Sequence, residues 1–173
     1  MKYLILIMLS AVTSTVAAQQ IRVILEPDPI TKKYSTSGVI PVSLKPSEVI
    51  MKGAYKWLSE IKYAATLASK GIILDEAVFG KITVNQYFIS TPETFNSKVR
   101  FTLTLEFKDG RFKYHFTDFY YLAVTKRKEF ESVTTNDDKL LVMQFLRESN
   151  AYINSFLSEI TEYINNYVED SNW

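Results

Sequence analysis

The sequence contains no cysteine and one histidine among 173 residues. Lack of cysteine excludes a disulfide framework, a thiol nucleophile and a thiolate metal site, and also the lipid-bearing cysteine of a bacterial lipoprotein. One histidine, with no carboxylates at ligand spacing, leaves zinc and iron without a donor set, so no metal or other cofactor is expected. Glycine is scarce, at five residues, and never falls in the spacing of a phosphate-cradling loop. No Gly-x-Ser-x-Gly elbow occurs. Charge of one sign is also missing: 20 basic residues meet 19 acidic ones. A concentrated basic face of the kind nucleic acid needs is therefore not expected.

Long apolar runs are absent except at the N-terminus. Lys2 precedes an apolar stretch from Tyr3 to Val12, and Val16-Ala17-Ala18 forms a small-residue cleavage site before Gln19. This pattern predicts a secretory signal peptide over residues 1–18, too short to span a bilayer. No later stretch resembles a span, so no membrane insertion is expected after cleavage, and the protein is expected to be periplasmic or secreted. What remains divides into a lead-in over residues 19–37 and one domain over residues 38–173. Losing Lys2 leaves 19 residues of each sign, but five acids and no base follow Arg147. The tail is thus −5 and the remainder +5 (19 − 14), an asymmetry able to hold the tail against the body.

Aromatic residues, by contrast, are plentiful: 11 Phe and 11 Tyr supply a core. They organise around residues 99–121. Val99, Phe101, Leu103, Leu105 and Phe107 alternate with Arg100, Thr102, Thr104, Glu106 and Lys108, the pattern of a strand with one buried and one wet face. Asp109-Gly110 is the pair that a two-residue type I′ turn wants, because both of its positions need positive φ. Arg111 to Phe119 resumes the strand. A two-residue loop fixes the register, setting Phe107 against Phe112, Leu105 against Tyr114 and Leu103 against Phe116 on the apolar side. Glu106 then faces Lys113, Thr104 faces His115, and Thr102 faces Thr117.

Elsewhere, Ile21–Leu25 is a short apolar run before Pro27 and Pro29, and Gly38–Leu44 reads as a first strand at a sheet edge because of Pro41. Pro46-Ser47-Glu48 starts a helix with an apolar side of Val49, Ile50, Ala54, Trp57, Leu58 and Ile61, ending at Gly71 as a C-terminal cap. Ile72–Asp75 is a brief strand, with Asp75-Glu76 starting a turn. Ile82–Phe88 is another, and a loop containing Pro92 leads to the hairpin. Lys126-Arg127-Lys128 reads as a solvated connection, with contact to an acidic partner or to the protein's own acidic tail as a lesser role. From about residue 138 to 170 an apolar stripe marks a long helix capped by Asp137 or Asp138. About 30 residues make ~45 Å of helix, whereas a nine-residue strand spans ~30 Å. The helix therefore breaks, most naturally at Ser149-Asn150, or overhangs the sheet and offers a surface for self-association. The order β-α-β-β-β-β-α makes an α+β fold with an antiparallel sheet, helices packed on one face and the other face open.

Trp57, Ile72-Ile73 with Asp75, Gly80-Lys81-Ile82, and above all the run Phe101 to Tyr114 with its Lys-Asp-Gly-Arg hairpin resemble the domain of unknown function 4468 family. The likeness covers about Val39 to Leu122. The resemblance implies a TATA-binding-protein-like (TBP-like) fold and export in Bacteroidetes. It supplies no catalytic or binding residues, since none are established for the family.

Parity places Thr83, Asn85, Tyr87, Thr102, Thr104, Glu106, Lys113, His115, Thr117, Phe119 and Tyr121 on the open face. Of these, Tyr87, Thr102, Thr104, Glu106, Lys113, His115, Thr117 and Tyr121 are the candidate binding residues. An aromatic-and-hydroxyl surface on a rigid sheet suits a protein, peptide or carbohydrate partner. His115 lacks the sequence context of a general base, and a lone strand histidine is ordinarily solvated. The sequence thus points to an exported non-catalytic binding module. A carrier enclosing an apolar ligand between helices and sheet is the alternative, and a hydrolase a more distant one.

Overall fold

The computed structural model describes residues 22–65, 71–78, 81–89, 98–123, 126–132 and 136–168. The expected signal peptide, the loop containing Pro92, and Glu169 and Asp170 lie outside them. Among the described residues the chain forms β1 (Glu26–Pro27), β2 (Tyr34–Pro41), α1 (Ser47–Ala65), β3 (Gly71–Val78), β4 (Lys81–Ile89), β5 (Lys98–Lys108), β6 (Arg111–Ala123), β7 (Lys126–Glu129), a 3₁₀ turn (Phe130–Ser132) and α2 (Asn136–Asn166). The sheet order is β1-β2-β6-β5-β4-β3, with β7 pairing β6 beyond the start of β2. Every pairing is antiparallel. The architecture is the expected α+β arrangement, with β1 and β7 added along one edge.

The hairpin has the register that its turn length dictates: Glu106 opposite Lys113, Thr104 opposite His115, Thr102 opposite Thr117. The turn itself is not type I′, because only Gly110 has a positive φ, at 69°. The hairpin tip is docked, and docking selects the turn. The Asp109 carboxylate accepts from the Ser47 amide at 2.8 Å, where an anion meets the positive end of α1. The Gly110 amide donates to the Lys45 carbonyl at 3.0 Å.

Ile50, Ala54, Trp57 and Leu58 of α1 and Phe145, Ile153, Phe156, Leu157, Ile160 and Ile164 of α2 are buried together with Phe101, Leu103, Leu105, Phe112 and Phe116 of the sheet. Phe156 is the hub, with Trp57 edge-on at 5.0 Å and Phe116 at 5.9 Å between centroids. Helix and sheet meet here through rings, each pair adding about 0.5–1.5 kcal/mol to the area term.

Two sequence expectations fail for one reason. At Asp118 the register of β5 and β6 slips: Arg100 pairs with Tyr120 but Thr102 with Thr117, so Asp118 and Phe119 together face Phe101. Asp118 sits at φ 56°, the left-handed region that Asp and Asn tolerate better than branched residues. This is a β-bulge, and one extra residue inverts the parity beyond it. Phe119 and Tyr121, expected outside, are 1% and 0% exposed. They pack on Phe130 and Phe145, with Tyr121 5.1 Å from Phe145. The same bulge lets β6 run on to 13 residues, ~43 Å at about 3.3 Å each. That matches the ~46 Å of the 31 residues of α2. The helix is therefore continuous through Ser149 and Asn150 rather than broken, and it is covered from Val142 to Ile164, leaving only its first turns beyond the core.

Other boundaries shift as well. Gly71 begins β3 instead of capping α1, and Asp75 is a bulge residue, since β3 continues past it to Val78. β2 starts at Tyr34 and stops at Pro41. The lead-in is built into the domain: Val23 and Leu25 are buried, strapped to α2 by side-chain amides. Asn154 accepts from the Val23 amide at 2.7 Å and donates to its carbonyl at 3.0 Å, and Asn150 accepts from Leu25 at 2.7 Å. Lys45 secures the far end of α2, donating to the carbonyls of Ile164, Asn165 and Tyr167 at 2.8, 3.0 and 2.5 Å. A cation thus meets the negative end of the helix through its main chain. No described helix is long and apolar enough to cross a membrane.

Candidate functional site

The open face is ordered in rows by the register. Ser37, His115, Thr104 and Thr83 lie across four adjacent strands; Val39, Lys113 and Glu106 form the next row, and Thr117 and Thr102 a third. Glu106, Lys113 and His115 are exposed, and Thr102, Thr104 and Thr117 are half-exposed, as strict alternation requires. Tyr87 occupies the β4 position paired with Arg100; its side chain lies outside the described residues. Tyr121 belongs to the core and leaves the candidate set, and Phe119 likewise leaves the open face.

Tyr120 takes the outward place that Tyr121 loses. Its ring is covered by Arg127, whose guanidinium carbon stands 3.9 Å from the centroid, and flanked by Arg100 at 6.0 Å. Arg100 also donates to the Tyr120 hydroxyl at 2.9 Å. Arg127 in turn pairs with Glu129 through Nε and Nη2, both at 2.6 Å. The Lys126-Arg127-Lys128 run is therefore a strand rather than a solvated connection. Arg127 finds its partners within the sheet. This cluster was illegible in the sequence because Phe119-Tyr120-Tyr121 is apolar throughout, so nothing in it shows that parity inverts.

A cleft of about 360 Å³ opens where the β1–β2 loop passes over β6, lined by Asp28, Thr31, Lys33, Tyr34, Ser35, His115, Thr117 and Asp118. Its loop wall is held by Asp28, whose Oδ1 accepts from the amides of Ile30 (2.9 Å) and Thr31 (2.6 Å) and from the Thr31 hydroxyl (3.0 Å). The Thr31 and Ile30 amide bonds hold this carboxyl below its ordinary range. Lys32 sits at φ 60° in the same loop, so the cleft has a left-handed non-glycine residue in each wall. Such backbone outliers cluster at binding sites. Lys33 reaches Asp118 at 3.9 Å, and the Thr117 hydroxyl donates to Asp118 at 3.0 Å.

Among the described residues His115 makes no side-chain hydrogen bond. Among them, too, no group of His, Cys, Asp and Glu is placed to hold a metal. What the face offers is hydroxyls, an imidazole and cations on a stiff support.

No protein-family model and no curated protein matches the sequence. Solved structures do match in shape. A TBP-like protein from Parabacteroides distasonis aligns with a TM-score of 0.61 at 14% identity, covering 79% of this chain and 95% of that one. A DUF4468 family protein from Bacteroides ovatus aligns with a TM-score of 0.59 at 11% identity, covering 82% and 90%. With its antiparallel sheet backed by two helices on one side, the chain has the TBP-like fold of these Bacteroidetes proteins, the fold that the Lys-Asp-Gly-Arg hairpin resemblance implied.

Proposed function

We propose that the protein is an exported, non-catalytic binding module that engages its partner with the open sheet face. One observation carries this reading: α1 and α2 bury one side of the sheet, while the other side keeps Lys113, His115 and Glu106 exposed and ends in the cleft at His115, Thr117 and Asp118. Rigid strands hold these groups in fixed rows, so a ligand meets a surface already organised and loses less entropy on binding. The interior supports the face rather than competing with it, since the rings of Trp57, Phe101, Phe116 and Phe156 already fill the space between α2 and the central strands. Export rests on the N-terminal Lys2, apolar and Val16-Ala17-Ala18 pattern.

The test is binding of residues 19–173 to a panel of soluble polysaccharides and peptides, using the wild type, a Thr104→Ala/His115→Ala/Thr117→Ala variant, and a helix-side Leu140→Ser/Met143→Ser variant. A ligand held by the wild type and the helix-side variant but lost by the face variant is the expected result. Ligands retained equally by the face variant would remove the sheet from the function.

A further inference from the structure

The open face carries a surplus of positive charge arranged along the strands. At the hairpin end, Lys108 stands directly opposite Arg111, and Lys113 follows two residues along β6. Like charges facing each other across a ladder destabilise it. Asp109, beside both, is turned to the Ser47 amide of α1. Among the described residues Lys108, Arg111 and Lys113 form no ion pair with a carboxylate, and Glu106 is the one acid on that part of the face. At the bulge end, Arg100 has the Tyr120 hydroxyl and ring as partners and, among the described residues, no carboxylate, while Arg127 is matched by Glu129 and Asp118 by Lys33. Between the two ends lie Thr102, Thr104, His115 and Thr117. From Arg100 to Lys108 the stripe runs along nine residues of β5, ~26 Å at about 3.3 Å per step.

We propose that this stripe is the binding site of a linear anionic polysaccharide, its carboxylates taken by Arg100, Arg111 and Lys113 and its hydroxyls by the threonines and His115. The proposal rests on the open-face reading above and names the ligand. Guanidinium and ammonium groups supply the charge-assisted hydrogen bonds a carboxylate needs. Hydroxyls and imidazole, each both donor and acceptor, match a row of sugar hydroxyls. An extended acidic peptide fits less well. β4 pairs β5 over residues 98–106 and β2 pairs β6 over residues 111–116, besides the pairing of β5 with β6, so along most of the stripe no row of free amides and carbonyls is open to an added strand.

The probe is polygalacturonate, titrated calorimetrically into residues 19–173, beside its methyl ester (same backbone, no charge) and polyglutamate (same charge, no sugar hydroxyls). Polygalacturonate is expected to bind and to weaken as salt rises from about 0.05 to about 0.2 M, with the ester and polyglutamate each weaker by about tenfold or more. Lys108→Ala/Arg111→Ala/Lys113→Ala is expected to lose about tenfold or more without a fall in melting temperature; the single Arg111→Glu serves as a second, milder variant. Absence of polygalacturonate binding, or equal binding of polyglutamate, overturns the proposal. Equal binding of the ester also overturns the anionic claim, yet leaves the open-face reading standing if the Thr104→Ala/His115→Ala/Thr117→Ala variant abolishes it.

Discussion

Deleting Thr117 and Asp118 together should cost far more than deleting Asp118 alone, because Asp118 is the surplus residue of the ladder and orientation depends on the count. Once Asp118 is gone, Thr117, Phe119 and Tyr120 stand opposite Thr102, Phe101 and Arg100 in plain alternation, and Phe119 and Tyr121 keep facing inward. Removing Thr117 as well shifts the count by one, and Phe119 and Tyr121, 1% and 0% exposed, turn to solvent. Moving two large aromatic side chains out of a core costs about 3–6 kcal/mol by transfer. Tyr120 and Leu122 would swing inward, but Tyr120 is already 8% exposed beneath Arg127 and gains little. The loss of the ring contacts to Phe130 and Phe145 adds to the deficit. For the double deletion we expect a net loss of about 2–4 kcal/mol, a large share of the 5–15 kcal/mol typical of a domain. With about 1–3 kcal/mol per molar for urea, the midpoint should fall by roughly 1–2 M. Deletion of Asp118 alone, Asp118→Gly and Asp118→Asn should stay within about 1 kcal/mol of the parent, whereas Asp118→Val forces a branched residue into φ 56° and should cost about 1–2 kcal/mol. A double deletion with the parent midpoint, or a single deletion as costly as the double one, would refute the account of the bulge.

Three further outcomes follow from the packing. A Cβ at Gly38 would lie 2.6 Å from the Tyr114 hydroxyl and 2.8 Å from its Cζ, so Gly38→Ala should cost about 1–3 kcal/mol in urea melts, with much of the loss recovered by Tyr114→Leu. Lys45→Met removes the donor to three terminal carbonyls of α2 and should lower stability by about 1–2 kcal/mol, whereas Lys45→Arg should keep most of it. Burial pushes the Tyr152 hydroxyl up, and Glu159 adds to the shift. The folded state therefore holds this proton more tightly than the unfolded chain does. Its contribution is complete below about pH 10 and declines as pH rises above that value, so Tyr152→Phe should flatten the alkaline fall in melting temperature.

Local patterns were enough for the sheet's central hairpin, its register, the inward faces of α1 and α2, and the exposure of Thr104, Glu106, Lys113 and His115. Period two and period 3.6 are short-range signals, and a two-residue turn transmits the register without error. Asp118 lies beyond their reach: a bulge is chosen by what the following residues pack against, here Phe130 and Phe145, and these come from later in the chain. That choice decided the fate of Tyr121, the length of β6, the unbroken course of α2 and the place of Tyr120 between two arginines. The turn at Gly110, the strap of Val23 and Leu25 on Asn150 and Asn154, and the cleft beside His115 likewise depend on partners distant in sequence. Alternation along a strand says which side chains share a face only until something elsewhere in the fold makes it worth shifting the count by one.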